Sequence, residues 1–244
     1  MGGTSSVLRW LAAFAAVIVW FEFGPRLPYA GHWGSVLLVA LVVIPGTLAL
    51  VLLALPLARS DWRVLAGATV VLSLLALAFS EAGWGLPTNF AKLGAAVFAG
   101  WAFVTFFEQL SWVVLVAVVI PFVDILSVYR GPTHAITTHH FHVYTDVSVA
   151  FVVPGHRAAY LGPPDILFYA LFLAAAQRWR LNVPLTWIAT TGMYSLAVVI
   201  ANAAHVNGLP ALPFLSVGFL GANAKYLWAL RASKPSASGG RPVR

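Results

Sequence analysis

The sequence predicts an all-α polytopic membrane protein of about eight transmembrane helices, and three observations carry that expectation. Hydrophobic residues make up 61% of the 244 and charged residues only 9%, against roughly 25% charged in a soluble domain. Mean hydropathy is +0.88. Apolar segments recur near residues 7–23, 34–57, 64–79, 91–107, 111–129, 158–177, 184–206 and 209–230. Most approach the ~20 residues that a helix needs to cross ~30 Å of hydrocarbon.

The first segment, LRWLAAFAAVIVW, has the apolar core of a signal peptide. No small-x-small cleavage site follows before GPRLPYAGHW, so it is expected to remain as the first helix. The third and fourth are short, and EQLS at 108–111 marks either a tight turn or a break within longer helices. Three regions follow: about four N-terminal transmembrane helices over 1–110, a core over 111–230, and a basic Ser/Gly/Pro-rich tail over 231–244, expected to be disordered.

Lys and Arg in short loops set orientation. With the N-terminus inside, inner segments hold Arg9, Arg59, Arg63, Arg178, Arg180, Arg231, Lys234, Arg241 and Arg244, and outer ones Arg26, Lys92, Arg130 and Arg157. Both termini are therefore expected in the cytoplasm of a multi-pass protein of the cell membrane, and an even span count agrees. A net charge of +7 would suggest nucleic acid in a soluble protein, but these charges flank apolar spans; the expected partner is the lipid bilayer and no nucleic acid. The chain has no cysteine, which excludes disulfides, thiol catalysis and cysteine-held zinc or iron-sulfur sites.

Two acids interrupt the apolar core. Asp124 lies in IPFVDILSVYR about five residues before the fifth segment ends, and Asp165 in LGPPDILFY about five residues after Tyr160, near the start of the sixth. At 1.5 Å per residue both are placed roughly 7 to 8 Å below the same outer face. Burying a charged aspartate near the bilayer centre costs about 2.5 to 3.5 kcal/mol, so such acids are functional by default. A helix-cap role would account for Asp165 at the head of its helix, but not for Asp124. Two carboxyls in contact cannot both ionise easily and hold a shared proton. One then takes a proton from water while its protonated partner polarises a peptide carbonyl, with no nucleophilic side chain, cofactor or metal required.

These residues carry a resemblance. DILSVYRGPTHAI after the fifth segment, LGPPD at the sixth and GLPALPFL opening the last resemble, in order, the three signatures of the presenilin and signal peptide peptidase family of intramembrane aspartyl proteases. The resemblance covers about 113–230. It implies Asp124 and Asp165 as the catalytic pair, Gly162, Pro163 and Pro164 beside them, and Pro210, Ala211 and Leu212 as the Pro-Ala-Leu segment that positions substrate. It also implies single-pass transmembrane peptides as substrates. Val123 stands where the family usually has tyrosine, and Pro164 where it has a second glycine. Eight spans in place of nine, with the C-terminus inside, match the signal peptide peptidase orientation.

Independently of the resemblance, Pro210 and Pro213 free backbone carbonyls near the outer end of the last span, where irregular backbone is allowed beside a water-lined cavity; they would equally serve to start the helix. The connection 130–157 is too long for a passive turn. Its VSVAFVVP is β-branched and aromatic and predicts a short buried strand or a lipid-surface segment; the family resemblance implies that a strand here pairs with an extended substrate. His134, His139, His140 and His142 in the same loop lack an acid at metalloprotease spacing, so a pH-responsive loop is expected over a metal site. His205 with Asn202 and Asn207 is expected as a polar interface contact, and Glu22, Glu81 and Glu108 as residues reaching the membrane interface. A proton- or cation-coupled transporter would also pair buried acids and break a helix with proline, and a non-catalytic relative would keep the fold without hydrolysis.

Overall fold

The computed structural model describes residues 3–130, 141–155, 157–206 and 209–232. Helix α1 (Gly3–Phe23) is followed by α2 (His32–Leu38), a π turn (Val39–Val43) and α3 (Ile44–Ala54), then α4 (Trp62–Glu81), α5 (Gly85–Thr105) and α6 (Leu110–Arg130). A short α7 (Phe141–Val147) leads into β1 (Val149–Val153) and β2 (Arg157–Leu161), and the chain ends with α8 (Pro163–Arg178), α9 (Val183–Ala203) and α10 (Leu212–Ala232).

Among the described residues, five stretches are long and apolar enough to cross a membrane: Val7–Arg26, His32–Arg59, Trp62–Glu81, Leu110–Arg130 and Val183–Ala203. The chain is thus a mostly helical, multi-pass membrane protein. The remaining long helices differ for visible reasons. Helix α5 carries Thr88, Asn89 and Lys92 in its first turns, and α8 has only 16 residues, about 24 Å of helix.

The centre of the molecule is α8. Ile166, Tyr169 and the whole run Ala170 to Ala176 are buried, because α5, α9, α10 and, more lightly, α6 pack around it. Small residues allow the closest approach: a Cβ on Gly100 would lie 2.3 Å from the Leu167 carbonyl oxygen and 3.1 Å from the Ala170 Cβ. Phe172 stacks on Phe219 of α10 with ring centroids 4.7 Å apart. At the far end, the Arg178 guanidinium donates to the Val104 carbonyl at 2.7 Å, satisfying the last turn of α5. Helix α4, by contrast, buries only Leu65 and Ala76 and otherwise presents apolar side chains outward, as a lipid-facing helix must.

Two prolines shape other helices locally. Pro45 has no N–H, so it cannot continue the regular ladder; the backbone widens into the π turn at Val39–Val43, and the Ser195 hydroxyl donates to the Ala40 carbonyl there. Pro121 sits inside α6, one turn before Asp124, and leaves the Ala117 carbonyl without its intrahelical donor.

The expected sixth span requires correction. Residues 158–161, expected to open a helix, form β2, paired antiparallel with β1 in the register Val149↔Leu161, Phe151↔Ala159 and Val153↔Arg157. The physical reason is that Pro163 and Pro164 cannot extend a helix backwards. One strand was expected and a hairpin is found. The last helix is shifted likewise: Pro210 and Ala211 precede it, and only Leu212 and Pro213 lie in its first turn.

Candidate functional site

The site grows from the stripe on which Asp124 sits. Leu110, Val113 and Ala117 are the buried residues of α6; Asp124 continues their stripe two turns on, while Trp112, Leu115, Val119, Phe122 and Leu126 are exposed on the other faces. Helix α6 packs chiefly against α10. The Asp124 carboxylate accepts a hydrogen bond from the Leu212 backbone N–H at 3.0 Å. The first turn of α10 has N–H groups with no partner in their own helix, and the charge of the carboxylate suits that positive end. Asp124 is therefore a cap supplied by another helix. Pro210, Ala211 and Leu212 are all buried.

Asp165 is placed differently from expectation. Gly162 is the N-cap of α8, Pro163 and Pro164 fill its first two positions, and Asp165 stands third, with its N–H bonded to the Gly162 carbonyl at 3.1 Å. It lies in the first turn, not five residues into the helix. Proline suits those early positions because their N–H groups have no helical acceptor. The Asp165 carboxyl turns back to the Gly162 N–H, as one half of a capping box does, and also meets the Tyr194 hydroxyl. Gly162 has φ −65° and ψ 147°, a conformation open to any residue, so neither glycine nor its absence at Pro164 is demanded by the backbone.

The two carboxyls come close enough for their charges to act on one another. Tyr194, from α9, lies between them electrostatically: it contacts Asp165 and feels Asp124 and Tyr144. Tyr144, on α7, donates to the Tyr160 carbonyl at 3.3 Å. Burial first, and the Asp165 charge second, push its phenol up to about 12, which keeps it protonated and able to donate. Four titratable side chains from α6, α7, α8 and α9 thus act on one another electrostatically, and one of them, Asp124, caps the start of α10.

Sequence reasoning missed both tyrosines. The available signal for Tyr194 is its spacing: Thr186, Thr190 and Tyr194 recur every fourth residue on α9 and are buried. They form a polar stripe in an apolar helix, with Thr191 bonded to the Tyr169 hydroxyl at 2.9 Å and Thr186 to Asn223 at 2.9 Å.

The hairpin stands on one side of this cluster. Val149, Phe151, Val153 and Leu161 face the core. The outer edge of β1 is taken up by side chains: Asn89 both donates to the Ala150 carbonyl at 2.9 Å and accepts from its N–H at 2.7 Å, and the Trp20 indole donates to the Val152 carbonyl at 3.2 Å. Among the described residues no other strand pairs with β2, which runs straight into Gly162 and the Asp165 helix.

The other candidates separate from the site. His142 is exposed on α7, and His134, His139 and His140 lie outside the described residues; the described residues contain no group of three metal-ligating side chains. The expected interface contact of His205 is not found: it is exposed, with φ 53° at the end of α9. Asn202 bonds to the Val198 carbonyl of its own helix at 2.8 Å, and Asn207 lies outside the described residues. Glu22, Glu81 and Glu108 are exposed, and Glu22 pairs with Arg26 at 2.7 Å. No protein-family model, curated protein or solved structure matches the chain.

Proposed function

We propose that the chain is an aspartic endopeptidase that hydrolyses peptide bonds of transmembrane segments within the membrane. The single observation that carries this reading is that Asp124, held by the Leu212 N–H, and Asp165, from a different helix, come close enough for their charges to act on one another. Capping alone does not call for that arrangement. A serine, threonine or asparagine caps a helix without charge, whereas two facing carboxyls in an apolar surrounding oppose each other.

In this mechanism one carboxyl is protonated and donates to the substrate carbonyl, and the other removes a proton from the attacking water. The Leu212 N–H orients Asp124 and the Tyr194 hydroxyl orients Asp165. Extended substrate pairs with an open strand edge. Asn89 and Trp20 occupy the far side of β1, so the edge is that of β2, where the substrate displaces the Tyr144 hydroxyl from the Tyr160 carbonyl. The segment VSVAFVVP then supports the pairing strand and does not itself receive substrate. All eight long helical segments cross the bilayer in this reading, with both termini cytoplasmic.

The capping bonds favour one second reading, a non-catalytic relative in which Asp124 and Asp165 only hold helix starts. Purified protein incubated with a single-pass transmembrane peptide separates the two. Cleavage by wild type that is absent from Asp124→Asn and from Asp165→Asn supports the protease; binding without cleavage supports the relative, and proton flux in liposomes would favour a transporter.

A further inference from the structure

A cavity of about 650 Å³ opens beside the hairpin, between the end of α1, the α4–α5 turn and the outward face of the two strands. The strand pairing fixes that face: Ala150 stands opposite Tyr160 and Val152 opposite Ala158. All four line the cavity, while Val149, Phe151, Val153 and Leu161 turn to the core. The volume is that of a small-molecule site. Its depth follows from the helices that bound it. Two of the stretches apolar enough to cross a membrane, Val7–Arg26 and Trp62–Glu81, end beside it, so the cavity lies at the boundary between hydrocarbon and water.

Among the described residues, two charged side chains line it. Glu22 is paired with Arg26 at 2.7 Å. Lys92, half-buried in the second turn of α5, donates to the Ser148 carbonyl at 3.4 Å and makes no ion pair among the described residues; the charge of Asp146 acts on it from the exposed surface of α7. One long bond to a carbonyl leaves most of a three-donor cation's capacity unused. The flanks of the cavity are apolar. Val19 and Phe23 on α1, and Leu74 and Leu77 on α4, are exposed as lipid-facing side chains. Trp84, which lines the cavity and stacks on Phe79 with ring centroids 5.7 Å apart, is exposed too, and an indole of this kind sits at headgroup depth.

We infer that this cavity holds the headgroup phosphate of an anionic phospholipid, received by Lys92, with the acyl chains lying along the apolar flanks of α1 and α4. The phosphate oxygens satisfy the ammonium donors that remain. A soluble phosphate ester meets the same cation, but the apolar flanks and the place of the cavity at the bilayer boundary commit the site to lipid. The occupant covers the outward face of the hairpin, whose second strand leads into Gly162 and the Asp165 helix, so the lipid braces that hairpin from the membrane side. The inference is independent of the protease reading.

The test is lipid binding by the full-length protein in detergent, delipidated and then titrated with phosphatidylglycerol or phosphatidylcholine of equal chain length, with bound lipid counted by native mass spectrometry. Wild type should take up one phosphatidylglycerol about tenfold more tightly than phosphatidylcholine. Lys92→Gln should bring the two lipids to equal affinity while its phosphatidylcholine binding stays as in wild type, which also shows that the variant is folded; Lys92→Arg should keep the preference. Ala158→Leu, which puts a larger side chain into the cavity without touching a charge, should also lose the tight phosphatidylglycerol site, and it decides the matter if Lys92→Gln does not fold. Equal affinity of wild type for the two lipids overturns the inference, as does a preference that survives either Lys92→Gln or Ala158→Leu. Glycerol 3-phosphate that displaces bound phosphatidylglycerol at equal concentration would assign the cavity to a soluble phosphate ester and overturn it too.

Discussion

The Leu212 backbone N–H donates to the Asp124 carboxylate at 3.0 Å, joining the C-terminal part of α6 to the first turn of α10 across 88 residues of sequence. One residue thereby does two kinds of work. It completes the start of a helix that has lost a further donor to Pro213, and it fixes one carboxyl of the candidate pair against buried backbone.

The two tasks can be separated by substitution. Asp124→Asn keeps an oxygen that accepts from Leu212, so thermal unfolding in detergent should stay near wild type, whereas Asp124→Ala removes the cap and should lower stability by about 1 kcal/mol. Cleavage should be lost in both, because neither variant can exchange a proton. An Asp124→Asn protein that still cleaves would leave Asp124 a cap and nothing more.

Tyr194→Phe is expected to act on rate alone. The ring is buried and phenylalanine fills the same space, while the hydroxyl that holds the Asp165 carboxyl is gone. We expect kcat to fall between about ten- and a hundredfold, in keeping with a misplaced reacting group, with KM unchanged. Steady-state cleavage of a fluorogenic transmembrane peptide measures both. An equal change in KM would instead place Tyr194 in substrate binding.

Much of this was legible in the sequence. Asp124 and Asp165 stood out because acids are costly inside apolar runs, and the long helices fell near the expected segments because prolines, glycines and charges bound them. The strand β2 was not legible: RAAYL is rich in helix-forming residues, and it is extended because β1 pairs with it and Gly162-Pro163-Pro164 bars a helix from continuing. Tyr144 and Tyr194 were hidden for another reason. Tyrosine is ordinary at membrane interfaces, and only the assembled helices bring these two of the seven to the acids. The depth of Asp165 was misjudged because the same prolines start the helix at Pro163, five residues later than the apolar run begins.

Gly100→Ala tests how closely α5 must approach the Asp165 helix. The added methyl meets the Leu167 carbonyl oxygen at 2.3 Å and the Leu171 nitrogen at 3.1 Å, backbone atoms that move only with the whole of α8. Stability should fall by about 1 to 3 kcal/mol, and cleavage should fall with it. Gly67→Ala in α4 is the control: nothing lies within 4 Å of its new methyl, and the better helix former should leave stability equal or up to about 1 kcal/mol higher. Equal melting temperatures for the two variants would show that the α5–α8 contact is not a constraint on the site.

Pro164 gives the sharpest test of the family resemblance, since it occupies the position of a family glycine. In the helix it is the second residue of α8, immediately before Asp165, where its fixed φ is helical and its missing N–H has no acceptor to lose. Replacing it with glycine frees the unfolded chain and loosens the first turn, at a cost of about 1 kcal/mol or less. The carboxyl still reaches the Gly162 N–H, so Pro164→Gly should cleave a transmembrane peptide at a rate near wild type while melting slightly lower. An opposite pattern would carry a different meaning. If wild type is inert and Pro164→Gly acquires cleavage that Asp124→Asn abolishes, the proline has silenced the pair, and Asp124 and Asp165 persist in this protein for the helix starts they cap.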